Sequence, residues 1–150
     1  MSLYNFLLFV HIFSAILGLG PGFVMIYIVT NAKTLPQLKH AYAIRKRIHV
    51  FVMVGGTLLL LTGLGMGMLN PNLFTQIWYI VSLVLYFIAL AAGPVVLSPK
   101  SKPVKKLLEE SSGEDIPAEY FPLAREVFFY ERITNVIFLI IIALMILKPF

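Results

Sequence analysis

The chain has 150 residues, of which 59% are hydrophobic and 13% charged, and its net charge is +5. A soluble domain carries about a quarter charged residues, so this composition excludes an ordinary soluble fold and points to membrane helices. Cysteine is absent, which removes disulfides, iron–sulfur clusters, thiolate catalysis and covalent attachment of a c-type haem.

The first apolar run spans roughly Leu3 to Val29, long enough to cross a bilayer. It lacks a basic start and exceeds a signal-peptide core, so it is expected to stay as a helix. Gly18, Gly20, Pro21 and Gly22 are expected to kink it. A basic loop follows over 30–47. The second helix is expected over Ile48 to Leu69, and a short uncharged turn holds Asn70, Pro71 and Asn72. The third spans Thr75 to Leu97, and a mixed-charge loop fills 98–131. The last apolar run, Arg132 to Leu147, is short for a bilayer. A helix from Pro122 would reach through the headgroups, with Phe128, Phe129 and Tyr130 at the interface.

The expected fold class is all-α: a single integral membrane domain, 1–150, built as a four-helix bundle. The loop after helix one holds five Lys or Arg, and the loop after helix three holds six when Arg132 at its edge is counted, against none in the middle turn and one at the C-terminus. Basic loops stay cytoplasmic, so both termini are expected to be extracytoplasmic. The basic charge therefore speaks for orientation and lipid headgroups, and nucleic acid is not an expected partner.

Residues three, four and seven apart share a helix face. On helix one such a stripe runs Tyr4, His11, Ala15, Gly18, Gly22 and Met25, opposite the bulky Phe9, Phe13 and Ile16. Helix two offers His49, Met53, Gly56, Leu60, Gly63 and Gly67. Helix three offers Tyr79, Ser82, Tyr86 and Gly93. Helix four offers Arg125, Phe128, Arg132, Asn135, Leu139 and Ala143. Small and polar residues face inward in lipid, and Gly63-x-x-x-Gly67 fits a close helix crossing. His11 and His49 are each followed by a glycine seven residues on, Gly18 and Gly56. That spacing leaves room beside an imidazole for a flat macrocycle; simple packing is the other reading.

His40 lies in the basic loop and is expected to be solvated. His49 is read either as a ligand or as an interfacial residue beside Arg45 and Arg47. His11 sits about eight residues, or roughly 12 Å, into helix one. An ionisable group at that depth is a functional candidate; the bland alternative is a neutral imidazole bonded to Tyr86 or Thr62. Haem is the expected cofactor because imidazole is its commonest ligand. The two histidines differ in depth by roughly 20 Å, too far to clamp one iron at about 2 Å each. Each would need another ligand, such as Met25, Met53, a tyrosine, water or a histidine of a second subunit. Tyr27, Arg45, Arg47, His49, Glu131, Arg132 and Asn135 share one predicted depth. They could hold haem propionates or anionic headgroups, or Glu131 and Arg132 could merely pair. No phosphate loop or dinucleotide fingerprint is present.

The layout, with His11 in helix one before a glycine-rich half, resembles a small bacterial four-helix membrane family of unknown function, DUF2269-like. More distantly it is similar to HemJ-type protoporphyrinogen oxidases and CopD-like membrane domains. Arg132-x-x-Asn135, an apolar run and Lys148-Pro149-Phe150 are similar to the HemJ-type C-terminus. The resemblance implies that His11 matches a histidine implicated in haem binding or activity, and that Arg132 and Asn135 match the start of the last helix. It also implies a bacterial plasma membrane. Two departures stand out: Val136 replaces the acid that follows the asparagine, and Tyr79 to Leu97 lacks the lysine of helix three.

The leading expectation is a haem-b-binding or redox-linked membrane protein, with a scaffold subunit and a HemJ-like oxidase as alternatives. The expected cofactor-binding residues are His11, His49, Gly18, Gly56, Tyr86, Arg132 and Asn135, with His11 and His49 as metal ligands. The expected partners are the lipid bilayer and either a second copy of the chain or a redox protein.

Overall fold

Ser2 opens the first helix by accepting a hydrogen bond from the Asn5 amide at 3.1 Å, which satisfies one of the donors a helix start leaves free. Helix α1 then runs Leu3–Leu19. Pro21 has no N–H and cannot continue it. The chain makes a single 3₁₀ turn at Pro21–Phe23 and resumes as α2, Met25–Thr30. The structure, a computed structural model, describes residues 1–149, and among them there is no strand.

Thr34 caps α3, accepting from the Gln37 amide at 3.4 Å, with Pro36 in the first turn. Helix α3 spans Leu35–Leu69, 35 residues, about 52 Å at 1.5 Å per residue. The hydrocarbon core is only about 30 Å thick, so α3 projects well beyond it at the basic end. The expected loop over 30–47 is therefore mostly helix. Lys, Arg, Ala, Gln and Leu dominate its sequence, and all are good helix formers behind a sound cap.

Pro71–Thr75 forms a 3₁₀ turn, and α4 follows over Ile77–Ala92. Pro94 would clash with the turn before it in a regular helix. The chain widens into a π-helical turn at Gly93–Leu97 and continues as α5, Ser98–Glu110. Much of the expected 98–131 loop is thus helix too. Val104 and Leu108, one turn apart, are both buried and anchor α5. Helix α6, Tyr120–Leu147, completes the fold. Four helical stretches, of 28, 35, 34 and 28 residues, are long and apolar enough to cross a membrane.

Two packed regions hold the helices together. At the basic end, Val29, Leu35, Leu38, Val104, Tyr120 and Phe128 belong to one buried cluster. The linker after α5 docks there: Leu35 donates its amide to Glu114 O at 2.8 Å, and Lys39 Nζ to Ser111 O at 2.7 Å. Farther along the bundle, Leu19, Leu59, Tyr86 and Ile141 form a smaller cluster. Phe9, Phe13 and Ile16 are each more than 60% exposed and make an apolar outer face on α1, as lipid contact demands.

The closest approach is between α1 and α3. A Cβ on Gly55 would lie 2.4 Å from Gly18 N, and one on Gly18 would lie 2.6 Å from Gly56 N. Backbones touch there because neither glycine carries a side chain. Gly63 and Gly67, expected to mark a crossing, instead admit side chains: a Cβ would meet His11 at Gly63, and Tyr79 and Phe74 at Gly67. The buried face of α3 is Gly55, Leu59, Thr62 and Met66, turned from the expected stripe, and His49 and Met53 lie exposed. On α6, Leu139 and Ala143 are exposed and Ile141 is buried. On α4 the expected Tyr79, Ser82 and Tyr86 are all buried, whereas Gly93, the last member of that stripe, lies in the π-helical turn and faces open space.

Gly55→Ala should lower unfolding stability in detergent by about 1–3 kcal/mol, the cost of forcing a methyl into a packed contact. At Gly93 an added Cβ meets nothing within 4 Å, so Gly93→Ala should be neutral or slightly stabilising. Thermal unfolding followed by circular dichroism checks both, and equal effects would contradict the tight crossing.

Candidate functional site

His11 lies two turns before Gly18 on α1, so the crossing presses its ring onto α3. Nδ1 sits 2.9 Å from Thr62 Oγ1. Thr62 Oγ1 is also 2.7 Å from Leu58 O and 3.2 Å from Leu59 O. A hydroxyl has one proton, and here it goes to those carbonyls. Thr62 must then accept from His11, which assigns the proton of the neutral ring to Nδ1. Nε2 keeps a lone pair. Gly63 lets the ring lie close, since a Cβ there would stand 3.2 Å from His11 Cε1.

Helix α4 supplies the opposite wall. Tyr79 OH donates to Gly63 O at 2.8 Å, and Tyr86 OH donates to Gly56 O at 2.6 Å. Both phenols are thereby spent on the α3 backbone. Between them Ser82 is 1% exposed, and its Oγ has no hydrogen-bond partner among the described residues. An unpaired buried hydroxyl is costly.

These groups surround a cleft of about 510 Å³ between α1, α3, α4 and α6, lined by His11, Leu59, Ser82, Tyr86, Ile141 and Met145 among others. Its walls are almost wholly apolar. Ile16 and Ile146 also line it and are largely exposed, so the cleft opens toward lipid. The volume falls within the roughly 300–1,000 Å³ of small-molecule sites.

Only part of the expected site assembles here. His11 and Tyr86 line the cleft. Gly18 is buried in the helix crossing and Gly56 accommodates the Tyr86 hydroxyl, so neither clears a gap beside an imidazole. His49 is exposed on α3, thirteen residues from Thr62, or about 20 Å along the axis; it does not share a site with His11. Asn135 Nδ2 donates to Gly22 O at 3.3 Å and ties α6 to the break in the first span. Arg132 lines a separate groove at the basic end. Sequence reasoning did not select Ser82 or Met145 as site residues. Ser82 already stood on the inward stripe of α4, whereas nothing in the spacing of α6 singles out Met145. Among the described residues no three His, Cys, Asp or Glu side chains gather as metal ligands. The further donor atoms on the cleft are the Met145 sulfur and the hydroxyls of Ser82, Tyr79 and Tyr86.

The basic end holds a second polar cluster. Arg45 pairs with Glu131, both side chains 15% exposed, so Glu131 does not pair with Arg132. The Arg45 guanidinium lies 5.8 Å from the Tyr42 ring centre and 6.0 Å from that of Phe128, within cation–π range. Tyr42 and Tyr120 hydroxyls meet at 3.0 Å. Arg45 Nη1 and Glu131 Oε2 are buried without partners among the described residues. Tyr27, Arg47 and His49, expected at the same depth, are exposed. Arg45→Met alone should destabilise the protein by about 3–5 kcal/mol, because Glu131 is left buried and unpaired. The double variant Arg45→Met/Glu131→Leu should recover most of that loss. Chemical unfolding of the three proteins checks this, and additive losses would refute it.

No curated protein and no solved structure matches this chain. The likeness to HemJ-type and CopD-like proteins rests on short motifs alone. With the match covering residues 5–149 and four apolar helices behind it, the chain belongs to the DUF2269 family of predicted integral membrane proteins and is a multi-pass membrane protein.

Proposed function

We propose that the protein holds haem b in the cleft, where His11 Nε2 would ligate the iron, and serves a redox-linked role in a bacterial plasma membrane. The observation that carries this reading is the fixed imidazole. Thr62 Oγ1 accepts a hydrogen bond from Nδ1–H while its own hydroxyl donates to Leu58 O, which leaves Nε2 as a ligand atom on a residue lining the apolar cleft. Metal-bound histidines commonly donate their other ring nitrogen in this way. Met145 and Ser82 are the further candidate donors lining the cleft. The apolar walls suit a macrocycle and exclude water. Haem in such a setting supplies one-electron transfer.

Arg132 and Asn135 take no part in this proposal: Arg132 lines the separate groove at the basic end, and Asn135 donates to Gly22 O. Lys148 is the basic residue at the Met145 end of α6, and its Nζ lies 5.3 Å from the Trp78 ring centre; it is the proposed partner for a propionate. Eleven of the twelve Lys and Arg residues fall between Lys33 and Arg132, at the opposite end of the helices. We place that end in the cytoplasm and both termini outside.

Protein purified from haem-supplied cells should show a Soret band that shifts on dithionite reduction, with α and β bands. His11→Ala should remove most of the pigment. Thr62→Val should weaken haem affinity by about 10–100-fold while leaving the ligand in place. A colourless preparation would overturn the proposal. Colourless protein bound to one stoichiometric partner would support the scaffold reading instead. Oxidation of protoporphyrinogen lacks the HemJ-type acid at Val136 and lysine between Tyr79 and Leu97; rescue of a strain without that activity would restore it.

A further inference from the structure

A second groove, of about 370 Å³, lies at the basic end between the close of α2, the start of α3 and the first half of α6. Val29, Leu38, Tyr120 and Phe128 give it an apolar, buried floor, and Arg125, Arg132 and Thr30 supply its polar groups. We propose that this groove binds the phosphate of an anionic phospholipid, with Arg125 and Arg132 as its cationic ligands.

The two arginines are seven residues apart, two turns of α6 and about 10 Å along its axis, so they point from one face. Among the described residues neither forms a salt bridge. The neighbouring acids are already taken: Glu126 pairs with Lys100, and Glu131 with Arg45. Two guanidiniums are thus left uncompensated at one groove, and guanidinium forks match phosphate oxygens bidentately.

The depth of the groove selects the source of the phosphate. Arg132 immediately precedes the apolar run Ile133 to Leu147, and Val29 and Thr30 close the first span. The groove therefore sits where hydrocarbon gives way to headgroups. A soluble anion would gain nothing from the apolar floor, whereas the glycerol and upper acyl carbons of a lipid would cover it. Anionic headgroups are favoured over zwitterionic ones because a choline would bring a third cation to the two arginines. This proposal rests on the membrane embedding and does not depend on haem.

The test uses the full chain in detergent, titrated with phosphatidylglycerol or with phosphatidylcholine of the same acyl chains. Bound lipid is read by native mass spectrometry and by the shift in melting temperature. The wild type should retain phosphatidylglycerol in preference. Arg125→Gln/Arg132→Gln should lower its affinity by about 10- to 30-fold, to the level of phosphatidylcholine. Arg125→Lys/Arg132→Lys should keep part of the binding. Both side chains are exposed, so the lipid-free melting temperature should match the wild type and show that the variants fold. Equal retention of the two lipids, or unchanged phosphatidylglycerol binding in the glutamine variant, would overturn the proposal. Stabilisation by millimolar inorganic phosphate equal to that by the lipid would identify a free-anion site and refute the lipid assignment.

Discussion

The contact of two backbones at Gly18 and Gly55 governs the rest of this bundle. Lipid offers little hydrophobic reward for bringing apolar helices together, so close packing of small residues must do it. Once α1 lies against α3 at that point, the helical pitch fixes what comes two turns away. There His11 meets Thr62 and Gly63, a hydroxyl and a bare backbone. A methyl at the crossing would separate the helices and loosen that meeting as well. The polar chemistry of the site is thus a consequence of a contact that has no chemistry of its own.

The α3 backbone also takes up three hydroxyls around the cleft. Thr62 bonds to Leu58 O, Tyr79 to Gly63 O and Tyr86 to Gly56 O. These three hydroxyls around the cleft are each paired with a carbonyl on one helix, which removes the penalty hydrocarbon would impose. Ser82 is the exception, buried and unpaired, and it faces the same cleft as His11. Around this cleft both phenols are bonded, while among the described residues the Ser82 hydroxyl and one His11 ring nitrogen stay without partners.

The two ends of the molecule are built on different terms. At the basic end, α3 and α5 project beyond hydrocarbon thickness, and apolar residues from four helices bury one another as in a soluble protein. Within the membrane the packing is sparser and leaves a cleft open to lipid. The Arg45–Glu131 pair sits in the dense region, where aromatic faces and a nearby phenol pair surround it. Dense packing holds one end, and the cleft toward the other opens to lipid.

Run length and charge placement in the sequence determined four apolar crossings, the break at Pro21 and the inward face of α4. These depend on quantities read along one dimension: hydrocarbon thickness, a missing amide proton and a stripe of Tyr79, Ser82 and Tyr86. His11 was legible as an outlier for the same reason, since an imidazole at that depth stands alone among apolar neighbours. Helix rotation was not legible. On α3 and α6 every face is apolar enough for lipid, so periodicity could not distinguish Gly55, Leu59 and Thr62 from His49, Met53 and Gly56. Only the tertiary structure decided it, because rotation in lipid is set by which glycines touch and which hydroxyls find a carbonyl. It also decided that the charged segments continue as helix, that Arg132 leaves Glu131 to Arg45, and that Met145 and Ser82 share a cleft with His11. The Arg45 pairing and the shared cleft each depend on a partner from a distant part of the chain.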